Sequence, residues 1–202
     1  MNRLLLVATA ATAVVALTGI GLLLTGGLSS PKVTDISASA PTRVTGVPNI
    51  GGPFELVDQT GKPVTDADFA GQKTLIYFGF TYCPDVCPTA LQVMSVALEE
   101  LGAEGDAFTP IFVTVDPERD DPETMAAYVE HFGDDFIGLT GTPEQIEAAA
   151  KAYKVYYRKV EDASSSAGYT MDHSSVVYLM SEDNTIHANF THETRPDRIA
   201  PR

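Results

Sequence analysis

The two cysteines, Cys83 and Cys87, are the residues of this sequence best suited to chemistry, and they lie in TLIYFGFTYCPDVCPTAL (residues 74–91). Two thiols at this spacing can pair as a disulfide or bind a soft metal as thiolates. Pro84 prevents a regular helix between them, so the spacing alone does not fix the sulfur–sulfur distance. The plain alternative is a pair of buried structural cysteines, or an ordinary structural disulfide.

The residues around the cysteines predict a strand-to-helix turn. Leu75–Phe80 is apolar and aromatic, which is typical of a buried strand. From Pro88, a proline suited to a first helical turn, apolar residues recur at helical spacing: Leu91, Met94, Leu98 and Leu101. Cys87 then lies at the start of a helix, where exposed N–H groups and a partial positive charge favour a thiolate.

His173 is the histidine best placed to join the cysteines. It ends a polar loop predicted over residues 161–170 and precedes an apolar strand. With Cys83 and Cys87 it would form a soft-donor set suited to Cu(I) in near-trigonal geometry; Cu(II) would require further oxygen or nitrogen donors. A structural zinc usually takes four protein ligands. The alternative for His173 is a hydrogen-bonded surface histidine. Of the others, His131 is expected to complement the dipole at a helix end, His187 to face solvent from a strand, and His192, which follows that strand, has little to recommend it as a ligand.

Two aspartates and a tyrosine are candidates for an outer shell around these donors. Asp172 could orient the neighbouring His173 ring, or it could simply be exposed. Asp116 follows a predicted central strand at its carboxyl end, where it could support the site or contact a partner. Alternatively, Asp116-Pro117 and Arg119/Asp120 merely shape a turn and pair as charges. Tyr82 directly precedes Cys83.

The order of predicted elements indicates an α/β sandwich. A β-hairpin over residues 53–65 comes first, strands then alternate with helices, and a hairpin formed by Ser174–Met180 and Thr185–Phe190 closes the domain. The cysteine turn falls at the carboxyl end of the first central strand. This placement predicts a thioredoxin-like fold over residues 51–202.

The first 28 residues read as a membrane anchor. Leu4–Leu28 is uncharged and long enough to span a bilayer. Arg3 before it favours a cytoplasmic N-terminus, with the domain on the periplasmic or equivalent outer face. A signal peptide cleaved after Ala38-Ser39-Ala40 is the alternative. Residues 29–50, rich in Ser, Pro and Thr, are predicted to be a flexible linker.

The domain is strongly acidic, which argues against nonspecific nucleic-acid binding. Beyond residue 30 there are 12 Lys and Arg against 27 Asp and Glu, a net charge of −15. Nonspecific binding to nucleic acid requires clustered positive charge. A cationic partner, a metal or simply a solvated acidic surface fits this composition.

Four segments together resemble the Sco (SenC) family of membrane-anchored copper proteins: FGFTYCPDVCPTAL, VTVDPERD, FIGLTG and DHSSVVYL. The resemblance covers residues 50–195. It implies a thioredoxin-like fold and copper binding by Cys83, Cys87 and His173. It also implies a metallochaperone role, with delivery of copper to the dinuclear copper centre of cytochrome c oxidase subunit II. Copper carriers or thioredoxin-like reductants of the periplasm are further expected partners.

The sequence departs from the family pattern at two points, and other functions stay open. Tyr82 stands where many members have histidine, and the chain stops at Arg202, where a longer terminal helix is expected. The principal alternative function is a thiol–disulfide oxidoreductase that uses Cys83 and Cys87 without metal to reduce target cysteines or in redox signalling. A peroxidase is a weaker hypothesis, because it would need neither Cys87 nor His173.

Overall fold

A computed structural model describes residues 49–163, 165 and 168–199, and its centre is a seven-stranded mixed sheet. The strands of this sheet are β1 (Glu55–Asp58), β2 (Pro63–Thr65), β3 (Lys73–Gly79), β4 (Phe108–Thr114), β5 (Ile137–Thr140), β8 (Val177–Met180) and β9 (Ile186–Phe190). A separate two-stranded sheet consists of β6 (Tyr157–Glu161) and β7 (Tyr169–His173). The helices are α1 (Val86–Leu101), α2 (Pro122–Val129), α3 (Pro143–Ala152) and α4 (Pro196–Ile199), with 3₁₀ turns at Asp66–Phe69 and Gly102–Ala107.

The strand order places the cysteine turn beside the end of a second central strand. The order is β2-β1-β5-β4-β3-β8-β9, and β3, β4 and β5 run parallel. Gly79 at the end of β3 lies opposite Thr114 at the end of β4. The segments that follow these two strands therefore leave the sheet at one edge, where parallel α/β sheets place their ligands.

The core lies on both faces of β3 and against α1. Residues 75–78 are buried, as expected for a central strand covered on both sides. The buried face of α1 consists of Cys87, Ala90, Leu91, Met94 and Ala97. The helix begins at Val86 rather than at Pro88, so Pro88 lies within its first turn, where the missing N–H costs nothing.

The predicted α/β class, the opening hairpin β1–β2 and the closing hairpin β8–β9 are confirmed. The prediction of a loop over residues 161–170 was wrong at both ends. β6 continues to Glu161 and β7 starts at Tyr169, because these strands pair from Tyr157 opposite His173 onward. His173 therefore ends a strand of a hairpin, and among the described strands this hairpin pairs only with itself.

The predicted anchor and nearly all of the predicted linker lie outside the described residues. Within the described ranges, no helix combines the length and the apolar character needed to cross a bilayer.

Candidate metal centre

The structure brings the three predicted donors together from three elements. Cys83 lies in the cysteine loop (residues 80–85), Cys87 is the second residue of α1, and His173 is the last residue of β7. The Cys87 sulfur lies 3.4 Å from the Nε2 atom of His173, although the two residues are 86 positions apart. The Cys87 backbone N–H donates to the Cys83 sulfur over 3.3 Å. Both cysteines are free thiols.

The His173 ring is oriented by a backbone carbonyl. Its Nδ1 atom lies 3.1 Å from the Ser174 carbonyl oxygen, which can only accept, so Nδ1 carries the proton. The lone pair of Nε2 then faces the Cys87 sulfur. Phe80 meets the imidazole edge-on, with ring centroids 5.7 Å apart, and fixes its tilt. A protonated Nδ1 held by an outer partner is the usual arrangement for a metal-binding histidine.

The two thiols are strongly unequal. The hydrogen bond from the Cys87 thiol lowers the pKa of Cys83 to about 4; burial opposes this shift, and contacts with His173 and with backbone N–H groups support it. The same hydrogen bond to Cys83, together with burial, raises the pKa of Cys87. Cys83 is therefore the thiolate at neutral pH, and Cys87 is its proton donor.

This assignment corrects the expectation that the helix start favours a thiolate at Cys87. The N-terminal N–H groups of α1 do stabilise negative charge, but the N–H of Cys87 points at the sulfur of Cys83. The Cys87 side chain itself faces the core and is fully buried. Charge in that environment is costly, so the thiolate forms on the less buried cysteine.

Gly79 gives the Cys87 sulfur the room it occupies. A Cβ atom at residue 79 would lie 2.8 Å from that sulfur and 2.9 Å from the Phe112 ring. Both distances are shorter than real Cβ contacts, so a larger residue would push the sulfur away from β3. The last residue of the strand thus sets the depth of Cys87.

The donor set suits Cu(I) better than it suits zinc. Two thiols and one imidazole are soft donors in the number that Cu(I) takes, whereas a structural zinc usually takes four protein ligands. Within the described residues, no three His, Cys, Asp or Glu side chains already surround one point as a preformed cage. The trio is instead held by the hydrogen bonds from Cys87 to the Cys83 sulfur and by the close approach of Nε2 to the Cys87 sulfur, and a metal that binds the sulfurs and Nε2 would replace these contacts.

Asp120 anchors the cysteine loop, a role that the sequence analysis missed. Its fully buried carboxylate accepts from the backbone N–H of Thr81 at 3.0 Å and from the hydroxyls of Thr81 and Thr114. Its own backbone carbonyl accepts from the Thr140 hydroxyl at 2.6 Å. Burial raises the pKa of Asp120, and the threonine hydrogen bonds oppose that shift. One residue therefore ties the loop to the ends of β4 and β5.

Asp116 and Tyr82 lie in a neighbouring cluster centred on Arg119. The Asp116 carboxylate is buried, forms an ion pair with Arg119 and accepts from the Tyr169 hydroxyl at 3.0 Å. The Arg119 guanidinium lies 3.8 Å from the centroid of the Tyr169 ring, 4.7 Å from that of Tyr82 and 5.8 Å from that of Phe80. Both candidates thus contact Arg119. Arg119 lies over the Phe80 ring, which in turn meets the His173 ring. This cluster also joins β7 to the loop after β4.

Asp172 is not brought to the His173 ring. Its carboxylate is exposed and lies 3.6 Å from the guanidinium of Arg158 on the neighbouring strand β6. Successive side chains of a strand point to opposite faces, so Asp172 and His173 face away from each other. The orienting role predicted for Asp172 belongs to the Ser174 carbonyl.

This fold is that of a thioredoxin-like domain, and its candidate site brings together two thiols and an imidazole that could bind a soft metal. The SCO1/SenC family model matches residues 42–202, about four fifths of the chain. The chain belongs to the SCO1/SenC family.

The comparisons with individual proteins support the same assignment. The chain is 42% identical over 160 residues to the human protein SCO1 homolog, mitochondrial, covering 77% of this chain and 52% of the human protein. It thus spans about half the length of the mitochondrial relatives it matches.

Two solved structures connect the fold with copper and with thiol chemistry. Arabidopsis thaliana ScoI with copper bound matches with a TM-score of 0.71 and 41% identity, over 74% of this chain and 92% of that one. A second structure, described as identifying a disulfide switch in BsSco, a Sco-family cytochrome c oxidase assembly protein, matches with a TM-score of 0.58 and 26% identity. It covers 75% of this chain and 90% of that one. The predicted thioredoxin-like Sco fold is confirmed.

Proposed function

We propose that this protein is a copper metallochaperone that binds copper through Cys83, Cys87 and His173. The observation that supports this proposal most directly is the distance of 3.4 Å between the His173 Nε2 atom and the Cys87 sulfur. The Cys83 sulfur accepts a hydrogen bond from the backbone N–H of Cys87 at the same helix start. A donor trio of this chemistry favours Cu(I). The copper-bound structure of Arabidopsis ScoI supports the choice of metal.

The site is suited to carrying copper and passing it on. Cys83 is only partly buried, so one ligand remains open to a partner, whereas Cys87 is fully enclosed. A recipient thiolate or imidazole could therefore replace Cys83 first, while Cys87 and His173 still hold the ion. Stepwise ligand exchange of this kind releases copper without free ion in solution.

The proposed recipient is the dinuclear copper centre of cytochrome c oxidase subunit II. This part of the proposal rests on the family and on the relative named as a cytochrome c oxidase assembly protein. We further propose a single-pass membrane anchor with a cytoplasmic N-terminus and the copper domain on the periplasmic side. The apolar stretch of residues 4–28 supports the anchor, and Arg3 before it supports the orientation.

A Cu(I) titration of the reduced full chain against a competing chelator tests copper binding. We expect one tightly bound equivalent for wild type and for His187→Ala, a control at an exposed position on β9. Cys83→Ser, Cys87→Ser and His173→Ala should each weaken binding by at least about a hundredfold, because each removes one of three ligands. Equal affinity in all five proteins would refute the proposal.

Delivery needs a separate experiment with the recipient. Copper-loaded protein is mixed with the metal-free copper domain of subunit II, and the optical spectrum of its copper centre is followed. Appearance of that spectrum with wild type, but not with His173→Ala, supports delivery. Copper binding without any transfer would limit the function to copper storage or sensing.

The second candidate function is thiol–disulfide exchange by the same cysteines. The observation that favours it is the inequality of the two thiols, since a thiolate at Cys83 with a proton donor beside it is the arrangement of a reactive pair. The disulfide switch described for BsSco supports it as well. His173→Ala should then keep reductase activity towards a disulfide peptide, and Cys83→Ser should lose it.

A further inference from the structure

A chain of hydrogen bonds leads away from the metal centre to a histidine outside it. The Tyr77 hydroxyl donates to the Cys87 sulfur over 3.8 Å and lies 3.1 Å from the Ser175 hydroxyl. Ser175 in turn lies 3.3 Å from the Nδ1 atom of His192. Tyr77 is fully buried, whereas His192 is half-buried beyond the end of β9.

Each hydroxyl has one proton, so the whole chain must point in one direction. If Tyr77 donates to Cys87, it can only accept from Ser175. The Ser175 proton is then used, and Ser175 can only accept from the Nδ1–H of His192. With the opposite polarity, Tyr77 would donate to Ser175, and the Cys87 sulfur would lose this donor.

The fold places these residues in line through strand register. β3 pairs with β8 so that Tyr77 lies opposite Val177, and β8 pairs with β9 so that Val177 lies opposite Phe190. When the β8–β9 register is extended by two residues beyond the Val177–Phe190 pair, Ser175 lies opposite His192. The link from the edge of the sheet to the cysteine is therefore built into the order β3-β8-β9.

We propose that His192, acting through Ser175, is a positioning residue that holds the Tyr77 hydroxyl on the Cys87 sulfur and favours the dithiol over the disulfide. A thiol or thiolate sulfur accepts a hydrogen bond better than a disulfide sulfur does, so the bond stabilises the reduced form. Stabilising a reduced pair makes its reduction potential more positive. Reduced cysteines are the form that binds copper, and in this respect the inference rests on the proposed function.

The redox step is balanced with an external disulfide. From the Cys83 thiolate and the Cys87 thiol, formation of the S–S bond releases two electrons and the Cys87 proton. Oxidised dithiothreitol takes up the two electrons, that proton and one more from water, and opens into two thiols. The equilibrium in a dithiothreitol buffer then gives the reduction potential.

The experiment is a copper-free redox titration of the full chain and its variants. Tyr77→Phe removes the donor and should disfavour the dithiol about tenfold, which corresponds to a potential about 30 mV more negative. His192→Ala should disfavour it about threefold, or about 15 mV in the same direction. His192→Asn, which can place an amide N–H near the Nδ1 position, should recover most of that shift. His187→Ala, an exposed histidine of the same hairpin, should leave the potential unchanged.

The double variant Tyr77→Phe/His192→Ala tests whether the residues act in series. Its potential should equal that of Tyr77→Phe alone, because without the hydroxyl there is nothing left for His192 to position. Additive shifts, or a His192→Ala potential equal to wild type, would overturn the proposal. If Tyr77→Phe does not fold, Ser175→Ala takes its place and should match His192→Ala. Because no copper is present, failure here leaves the copper proposal untouched, and the Cu(I) titration decides that proposal separately.

Discussion

The cysteine loop and the β6–β7 hairpin supply the donors of the same candidate metal centre but are held in different ways. The loop lies between β3 and α1 and is tied by Asp120 to two central strands, through its buried carboxylate to β4 and through its backbone carbonyl to β5. The hairpin pairs only with itself among the described strands. It meets the rest of the domain through the Arg119–Tyr169 stack, the Tyr169–Asp116 hydrogen bond, the exposed ion pair of Lys159 with Glu118 and the buried side chain of Met171.

This difference in how the two segments are held indicates that the sulfur donors and the imidazole have different roles. The sulfur donors are restrained by a loop that a buried carboxylate ties to a central strand. An imidazole on a hairpin outside the main sheet can be displaced at lower cost, because among the described strands no ladder of backbone hydrogen bonds ties the hairpin to the central strands. We infer that capture and release of copper depend on the seating of His173, while the identity of the metal depends on the cysteines.

The largest expected effect is the lowered pKa of Cys83 in the cysteine loop. Titration of reduced protein, followed by thiolate absorbance, should show Cys83 ionising at about pH 4. A pKa lowered by folding adds stability that is complete above the ordinary pKa of a thiol and is lost as the pH falls through the folded value. The stability of wild type relative to Cys83→Ser should therefore decrease from about pH 9 down to about pH 4. A midpoint near that of an ordinary thiol would show that the helix start does not hold a thiolate.

Next in size is the anchor of the loop. Asp120→Asn replaces one acceptor oxygen by an NH₂ group that faces the Thr81 and Thr114 donors, which should lower the free energy of unfolding by about 3 kcal/mol. Urea denaturation measures this loss. Asp121→Asn is the matched control: Asp121 caps α2 by accepting from the Thr124 N–H, and asparagine caps equally well. Equal losses in the two variants would mean that Asp120 is not the anchor.

The contact between the hairpin and the body should contribute less. Tyr169→Phe removes the hydroxyl that donates to Asp116 but keeps the ring under Arg119, so we expect a loss of about 1 kcal/mol. Cu(I) affinity should fall severalfold, far less than in His173→Ala, since the histidine is loosened rather than removed. Tyr156→Phe, at a ring that is 53% exposed, is the control for both measurements. A Tyr169→Phe protein with wild-type copper affinity would separate hairpin seating from the metal site.

Much of this fold follows from local sequence signals. The apolar run before the cysteines, the helical spacing that follows Pro88 and the two hairpin patterns predicted β3, α1 and the opening and closing hairpins. The convergence of Cys83, Cys87 and His173 followed from the family resemblance, because nothing local links residues 86 positions apart. The similarity to known Sco proteins confirms the family and the fold.

The missed parts depend on packing that sequence periodicity does not show. Asp120 looks like an ordinary turn residue, and its burial appears only when β4 and the cysteine loop meet. The sequence indicates no role for His192, because it only follows a predicted strand. Extension of the β8–β9 register places it opposite Ser175. The thiolate was assigned to Cys87 because helix position was considered without burial.

The smallest expected effect concerns Asp172, where sequence adjacency and structure disagree. Asp172→Asn removes a charge one residue from His173 yet leaves the bond from the His173 Nδ1–H to the Ser174 carbonyl intact. The lost partner is the exposed Arg158, so stability should change by less than about 0.5 kcal/mol. Cu(I) affinity should stay within twofold of wild type and of Arg158→Gln, which breaks the same pair from the other side. A tenfold loss confined to Asp172→Asn would show that the carboxylate reaches the imidazole when copper is bound, and that the ligand-bound hairpin differs from the one described.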